Sequence, residues 1–88
     1  KSGKRRKELE MIASNECVGV IYESPNRIRA LIKEIAEILP HSNLVIGREL
    51  TKLHEEIITG TAQSLADTIE SIKEKGEFAV AVYTHEKN

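Results

Sequence analysis

The segment 48–56 contains the densest group of chemically active side chains in this sequence. It carries two cations, three carboxylates, a threonine and a histidine within nine residues, in the order Arg48-Glu49-Leu50-Thr51-Lys52-Leu53-His54-Glu55-Glu56. It follows an apolar run, 44–47, that is typical of a strand. Charged side chains at the carboxyl end of a strand often bind ligands in α/β proteins, because the loops there lie over the crevice between strand ends. The alternative is a solvated hairpin whose charges only keep a sheet edge from aggregating.

A second polar segment follows another apolar run and reads Tyr22-Glu23-Ser24-Pro25-Asn26-Arg27. Arg27 is expected in the first turn of a helix, where exposed backbone amides and the helix dipole already favour an anion. If the sheet brings both segments to one edge, Arg48 and Lys52 would add positive charge to the same crevice. Glutamates of the two segments could pair with these cations or accept hydrogen bonds from a ribose or an amine. An Arg–Glu network that only fixes strand ends is the structural alternative, and surface pairs of this kind contribute little stability.

Several mechanistic motifs are absent from the sequence. It has no Gly-rich dinucleotide loop, no P-loop and no nucleophile elbow. His54 and Glu55 begin like the helix of a zinc protease, but Ile58 stands where the second histidine would be. Cys17 is the only cysteine, so neither a disulfide framework nor a cysteine-based zinc site can be built, and a reducing, cytoplasmic setting fits. We therefore predict no metal site, and no apolar run approaches the roughly 20 residues needed to cross a membrane.

Apolar periodicity predicts an α/β domain with the element order β-α-β-β-α-β after a helical lead-in. The predicted elements are a lead-in helix over 4–13, strands over 17–22, 43–50, 55–60 and 78–83, and two long helices, the first opened by Ser24 and Pro25 and the second running from Thr61 to Gly76. We expect a small mixed sheet of about four strands, because a right-handed crossover would make the first two strands parallel neighbours and a hairpin would join the next two. A ferredoxin-like sheet has the same element order and is the alternative topology.

The net charge of −1 conceals an uneven distribution. Residues 1–7 carry five positive charges and no negative ones, whereas residues 8–88 carry eight Lys or Arg against fourteen Asp or Glu. Clusters of Lys and Arg displace counterions from phosphates, so a basic arm on an acidic body suggests a nucleic-acid partner. The alternative is a solvated tail or the end of a linker. With 88 residues, of which 31% are charged, the chain has the size and composition of one globular domain.

Four motifs together resemble one known family. They are Tyr-Glu-Ser-Pro-x-Arg from Tyr22, Arg-Glu-Leu-Thr-Lys-x-x-Glu-Glu from Arg48, Gly-Thr at Gly60, and Lys-Gly-Glu-Phe from Lys75 before the last apolar strand. This pattern is similar to that of the small-subunit ribosomal RNA methyltransferase I family, within the tetrapyrrole methylase superfamily, and it covers nearly the whole chain. The basic residues 1–10 also resemble the segment that follows the inter-domain connection in those enzymes. Asn26 departs from the pattern, because the family usually has histidine there.

The resemblance implies the C-terminal α/β half of a two-domain enzyme, with residues 1–15 as a basic lead-in helix or linker and 16–88 as the domain itself. Members of the family use S-adenosylmethionine to methylate a cytidine ribose 2′-hydroxyl of 16S ribosomal RNA, with the cofactor between the two halves. The cofactor motif of the N-terminal half is absent here, so the isolated chain is expected to be inactive. The full-length enzyme is expected to be a cytoplasmic homodimer that acts on the small ribosomal subunit.

The resemblance also implies roles for residues of this chain. Those expected to bind the cofactor are Tyr22, Glu23, Phe78 and Ala79. Those expected to be catalytic, facing the nucleotide or the methionine end of the cofactor, are Arg48, Glu49 and Lys52. Those expected to contact the substrate RNA are Arg27 and four basic residues of the lead-in, Lys4, Arg5, Arg6 and Lys7.

Two other functions are compatible with the sequence. One is a tetrapyrrole methylase that acts on a small macrocycle, although the basic arm and the segment 48–52 argue against it. The other is a non-catalytic RNA-binding or dimerisation module, which would bind RNA in a salt-dependent manner without binding a cofactor.

Overall fold

Helices and strands follow one another in the predicted order over the residues that the computed structural model describes, which are 2–15, 18–50 and 52–84. The elements are α1 (Ser2–Asn15), β1 (Gly19–Glu23), α2 (Ile28–Ile38), β2 (Asn43–Arg48), β3 (Glu56–Thr61), α3 (Ala62–Asp67), a 3₁₀ turn (Ile69–Ser71) and β4 (Phe78–Tyr83). The predicted α/β class and the order β-α-β-β-α-β after a helical lead-in are confirmed. Cys17 and Thr51 lie outside the described residues.

The four strands form one sheet in the order β1-β4-β2-β3, and its strand pairings are antiparallel. β2 and β3 form the expected hairpin. The expected parallel pairing of β1 with β2 is wrong, because β4 lies between these two strands and pairs with both, so the sheet is antiparallel rather than mixed. β4 lies in the middle of the sheet, and Phe78, Val80 and Val82 alternate along it as core-facing side chains.

One face of the sheet is covered by helices, and the hydrophobic core lies between them. α2 turns its predicted apolar stripe towards this core, with Ile28, Leu31, Ile32 and Ile35 buried. α1 belongs to the same core through Leu9 and Ile12. Ile12 packs so closely on β1 that a Cβ atom on Gly19 would collide with its Cδ1. Because burying each Leu or Ile side chain stabilises a fold by about 1.5–3 kcal/mol, the basic lead-in is a packed helix rather than a loose tail.

The start of α2 differs from the prediction. Residues 24–27 form a turn, closed by a 3.1 Å hydrogen bond from Arg27 N–H to Ser24 O, and the helix begins at Ile28 rather than at Pro25. The Ser24 hydroxyl donates to Asn26 Oδ1 at 2.8 Å and leaves the helix without a side-chain cap. Local hydrogen bonds of Ser and Asn side chains compete with helix formation in this way. Asn26 therefore makes a local contact at the position where the family usually has histidine.

The second predicted helix is shorter than expected. Thr61 caps it as predicted, because its Oγ1 accepts a hydrogen bond from Ser64 N–H at 3.1 Å. The α-helix ends at Asp67, because Thr68 has the non-helical angles φ −116° and ψ 37° and the chain then tightens into the 3₁₀ turn, while the Thr68 hydroxyl donates to Ser64 O at 3.0 Å. Residues 72–77 are not helical, so Gly76 is not a helix stop.

The other face of the sheet is not covered by a helix within the described ranges. Tyr22, Ala79, Gly47 and Ile57 form one cross-strand row on it. Val20, Tyr22 and Ile57 are exposed there, and Tyr22 has 79% of its surface open to solvent. An uncovered apolar face of this kind is typical of a contact surface. Among the helices that the structure describes, none is long and apolar enough to span a membrane.

Candidate functional site

The carboxyl ends of β1 and β2 lie at the same edge of the sheet as the amino end of β4. The register places Glu23 opposite Phe78, and Phe78 opposite Arg48. The two polar segments that were expected to meet, 22–27 and 48–56, therefore come to one edge with a strand between them. β4 lies between the two segments. Because it runs antiparallel to both β1 and β2, the carboxyl ends of β1 and β2 lie at the same edge.

A cleft of about 460 Å³, which we call the central cleft, lies at this edge. It brings together six of the predicted site residues, namely Tyr22, Glu23, Glu49, Lys52, Phe78 and Ala79. Four of these are the residues expected to bind the cofactor, and two are among those expected to be catalytic. Pro25 and Leu50 add apolar surface to the same cleft.

Glu23 is a fixed hydrogen-bond acceptor in the central cleft. Only 11% of its side chain is exposed, and its Oε2 lies 3.3 Å from Arg27 Nε. The same oxygen accepts a 3.1 Å hydrogen bond from Ser24 N–H. Tyr22, by contrast, is exposed on the uncovered face, and Phe78 is buried in the core beneath the cleft. Tyr22 and Glu23 both line the cleft but are successive residues of β1, so Tyr22 lies on the uncovered face and Glu23 on the side of the helices.

Glu49 is held by the backbone of Glu77, and we call this contact the Glu49–Glu77 clip. The Glu49 N–H donates to Glu77 O at 2.9 Å, and its Oε2 accepts from Glu77 N–H at 2.7 Å. Glu49 reaches this position with a φ of +54°, a left-handed conformation that is uncommon for a residue with a side chain. The clip joins the loop after β2 to the start of β4, so Glu49 shapes the wall of the central cleft.

Lys52 is the exposed cation of the central cleft. Its side chain is 59% exposed, and its Nζ lies 4.0 Å from Glu49 Oε1. Its N–H donates to Glu49 O at 3.1 Å, so the turn that carries Lys52 is attached to the clip. An ammonium group in this position can donate hydrogen bonds to a phosphate or ribose oxygen of a nucleotide.

Arg48, the third residue expected to be catalytic, does not line the central cleft. It is the last residue of β2, and its Nε lies 2.9 Å from Oε1 of Glu56, which faces it across the hairpin. Only 12% of the Arg48 side chain is exposed. The structure thus makes Arg48 part of the strand pairing and of its ion pair, rather than a residue facing a ligand in the central cleft.

A second depression, which we call the α1–α2 cleft, has a volume of about 420 Å³. Its charged lining residues are Lys4, Arg5, Glu8, Glu23, Arg27 and Glu34. Arg5 Nε lies 3.6 Å from Glu8 Oε1, whereas Arg5 Nη1 is buried and has no hydrogen-bond partner within the described part of the chain. Lys4 and Arg27 are exposed, so they are the cations of this cleft that an anionic group can reach. Arg6 and Lys7 are exposed on α1 outside the cleft.

A third depression, of about 380 Å³, was missed by sequence reasoning, and we call it the third hollow. It is lined by Arg48, Glu49, His54, Lys73, Lys75 and Gly76. The periodicity had assigned Lys73 and Lys75 to a helix that in fact ends at Asp67. The signal that could have found them is the Lys-x-Lys-Gly spacing directly before the last strand.

Replacing Gly76 with alanine should lower the free energy of unfolding by about 1–3 kcal/mol. Gly76 has a φ of +78°, and a Cβ atom there would lie 2.5 Å from Glu49 Cγ, so the Glu49–Glu77 clip would have to open. Unfolding in denaturant, followed by circular dichroism, measures the change. Gly3→Ala is the matched control, because nothing lies within 4 Å of a Cβ atom at that helical position. Equal stability of the two variants would contradict the importance of the clip.

No protein-family model matches the chain, but curated relatives do. Over 85 residues the chain is 44% identical to the ribosomal RNA small subunit methyltransferase I of Coprothermobacter proteolyticus, a match that covers 94% of this chain and 36% of that relative. Over 78 residues it is 33% identical to the protein of the same name from Bacillus subtilis, which covers 89% of this chain and 27% of the relative. The resemblance to this family is confirmed.

The methyltransferase I relatives are longer than this chain, which spans 36% of the first and 27% of the second. Among solved structures, the cobalamin biosynthetic enzyme cobalt precorrin-4 methyltransferase aligns with a TM-score of 0.55 and 22% sequence identity. The alignment covers 83% of this chain and 32% of that enzyme. This likeness shows the fold, and it is the tetrapyrrole methylase fold that the resemblance implied.

Proposed function

We propose that this chain is the C-terminal α/β domain of an S-adenosylmethionine-dependent methyltransferase that modifies a cytidine ribose 2′-hydroxyl in 16S ribosomal RNA. In this proposal residues 16–88 are the domain and residues 1–15 the lead-in, whose helix α1 packs on the core of the domain through Leu9 and Ile12. The observation that carries the proposal is the central cleft, where Tyr22, Glu23 and Lys52 converge from separate strand ends. The names of the curated relatives support a methyltransferase that acts on ribosomal RNA of the small subunit.

The central cleft fits one side of an adenosyl cofactor. Its volume of about 460 Å³ lies within the roughly 300–1,000 Å³ typical of small-molecule sites. Tyr22 and Ala79 offer apolar surface, Phe78 supports them from the core, and Glu23 offers carboxylate acceptors for hydroxyl or amine groups. When bound, S-adenosylmethionine supplies a methyl group on a sulfonium centre, and alignment accounts for much of the rate of such a displacement.

Lys52 is the residue of this wall that we assign to the nucleotide. Its exposed ammonium group would hold the ribose or the adjoining phosphate in line with the methyl donor, which is a positioning task. Glu49 keeps the turn of Lys52 in place through the clip. We assign Arg48 to the support of this strand end, because its guanidinium is already paired with Glu56.

The uncovered sheet face is where we place the N-terminal domain of the same enzyme. Val20, Tyr22 and Ile57 are exposed on it, and Tyr22 also lines the central cleft, so a domain seated there would close the cleft. The relatives are long enough to contain such a domain, since this chain spans about a third of them. A cytoplasmic site of action and a homodimer of the full-length enzyme follow from the family resemblance and stay predictions.

The test is to map the product of the full-length enzyme that carries this chain. Purified small ribosomal subunits are incubated with the enzyme and labelled S-adenosylmethionine, and the labelled nucleotide is identified after digestion. The expected result is a methyl group on the ribose of a cytidine in 16S RNA, seen as an alkali-resistant linkage. A methyl group on a base, or methylation of a tetrapyrrole alone, would contradict the proposal.

The 88-residue chain by itself is the control in this experiment. It presents only one wall of the proposed site, and affinity falls tenfold for each ~1.4 kcal/mol of binding free energy that the missing wall would supply. We therefore expect a folded domain without methylation activity, whose affinity for S-adenosylmethionine is no tighter than roughly millimolar in titration calorimetry. Micromolar binding by the isolated chain would place the whole site within it and would contradict the two-domain arrangement.

A further inference from the structure

The three depressions are neighbours, because each flanking depression shares a lining residue with the central cleft. The α1–α2 cleft and the central cleft share Glu23 as a common wall. The central cleft and the third hollow share Glu49. The central cleft therefore has a charged depression on each side, and the resemblance assigned no role to Lys73, Lys75 or His54 of the third hollow.

The third hollow has an excess of available positive charge. Arg48 is neutralised by Glu56, and the Glu49 carboxylate is held in the Glu49–Glu77 clip. Lys73 and Lys75 are exposed and make no ion pair or side-chain hydrogen bond with any residue that the structure describes. Two unpaired ammonium groups next to the clip are thus open to an anionic ligand.

The segment that carries these lysines is fixed from both ends. Arg29 of α2 donates from Nε and Nη2 to Ile72 O, at 3.0 and 2.8 Å, and its Nη1 lies 3.9 Å from Glu74 Oε1. The Ile72 side chain is buried in the core. At the other end, the clip holds Glu77. A held segment loses less conformational freedom when its side chains bind a ligand, so it binds more tightly than a mobile loop with the same charges.

From this arrangement we infer that Lys73 and Lys75, with His54 beside them, bind phosphates of the substrate RNA on the far side of the target nucleotide from the α1–α2 cleft. The inference rests on the proposed function and adds a second phosphate-binding site to it. A nucleic-acid strand is long enough to contact the α1–α2 cleft, the central cleft and the third hollow at once. A small macrocycle in the central cleft would leave both flanking depressions empty. Positively charged grooves that follow the backbone are the usual way to bind single strands.

The inference is tested by the salt dependence of RNA binding to the 88-residue chain. A single-stranded RNA of mixed sequence is the probe, and affinity is measured by fluorescence anisotropy over a range of salt concentrations. The double variant Lys73→Ala/Lys75→Ala should reduce the slope of log affinity against log salt by roughly 1.4, which is about 0.7 for each phosphate that is no longer neutralised. Lys33→Ala, an exposed lysine on α2, is the control and should leave the slope unchanged. Lys73→Arg/Lys75→Arg should keep the wild-type slope, because it keeps both charges.

The outcomes separate this inference from the proposed function. A slope unchanged in the double alanine variant, but reduced by Lys4→Ala/Arg5→Ala, would overturn the second site and leave the RNA substrate in place. An absence of salt-dependent RNA binding in the wild-type chain would contradict both. The two lysines are exposed, so thermal unfolding of the double variant should match that of the wild type.

Discussion

The Lys52→Ala variant of the full-length enzyme is expected to methylate its RNA at least ~100-fold more slowly than the wild type, which is the scale of one positioned catalytic group. Lys52 is the exposed cation of the central cleft, and its ion pair with Glu49 is long, at 4.0 Å. Its removal should therefore leave the melting temperature nearly unchanged. Single-turnover methylation of small ribosomal subunits measures the rate, and thermal unfolding measures the stability.

Two further variants show whether this effect belongs to the site. Lys33→Ala removes a similar charge from the exposed side of α2 and should change neither activity nor stability. Arg48→Ala should lower stability by about 1 kcal/mol, because it removes the hydrogen-bonded partner of Glu56 within the strand pairing. Normal activity per folded molecule in Lys52→Ala, together with a large loss of stability, would make Lys52 structural and would contradict its assignment.

The second large effect is expected from the basic residues of α1. Replacing Lys4, Arg5, Arg6 and Lys7 with alanine should reduce the slope of log affinity for RNA against log salt by roughly 0.7–0.9 for each phosphate that these residues neutralise. If all four residues bind phosphates, a fourfold change in salt would alter their combined contribution to affinity by roughly 50- to 150-fold. The same anisotropy titration measures it, and Leu9 and Ile12 should still hold the helix on the core.

The helix offers a matched comparison between two pairs of cations. Lys4 and Arg5 line the α1–α2 cleft with Arg27, whereas Arg6 and Lys7 are exposed elsewhere on the helix. Each double alanine variant removes two charges from the same helix. We expect Lys4→Ala/Arg5→Ala to have the larger effect, because a phosphate in the α1–α2 cleft would lie near three cations, including the exposed Arg27, whereas Arg6 and Lys7 lie outside the cleft. An unchanged slope in both variants would make α1 a structural helix only.

The helices and strands could be predicted from the sequence because buried apolar residues recur at the spacing of each type of element. Ile28, Leu31, Ile32 and Ile35 recur at helical spacing and form the buried stripe of α2. Phe78, Val80 and Val82 alternate and form the buried side of β4. The two polar segments could also be located, because each directly follows a strand. The family motifs then indicated which residues of these two segments correspond to a methyltransferase site.

The positions at which the sequence was misleading involve competition between local hydrogen bonds. Ser24 looked like a helix cap, but its hydroxyl is taken by Asn26. Thr68 looked like the interior of a long helix, but its hydroxyl bonds back to Ser64 O and the helix ends. Helix propensity and apolar periodicity do not predict such local hydrogen bonds, because each bond depends on the rotamer of one side chain rather than on a repeating pattern.

Only the tertiary structure decided which groups meet across the site. The insertion of β4 between β1 and β2 places Phe78 between Glu23 and Arg48. The apolar patterns of β1, β2 and β4 do not favour this pairing over a parallel pairing of β1 with β2. The bonds from Glu49 to Glu77 and from Arg29 to Ile72 join residues 28 and 43 positions apart. Contacts of this kind depend on how the whole core packs, because the free energy of a strand pairing comes from the side chains that it buries on both neighbours. The sequence by itself determined the elements and their polar ends, and the packing of those elements determined which ends form a cleft.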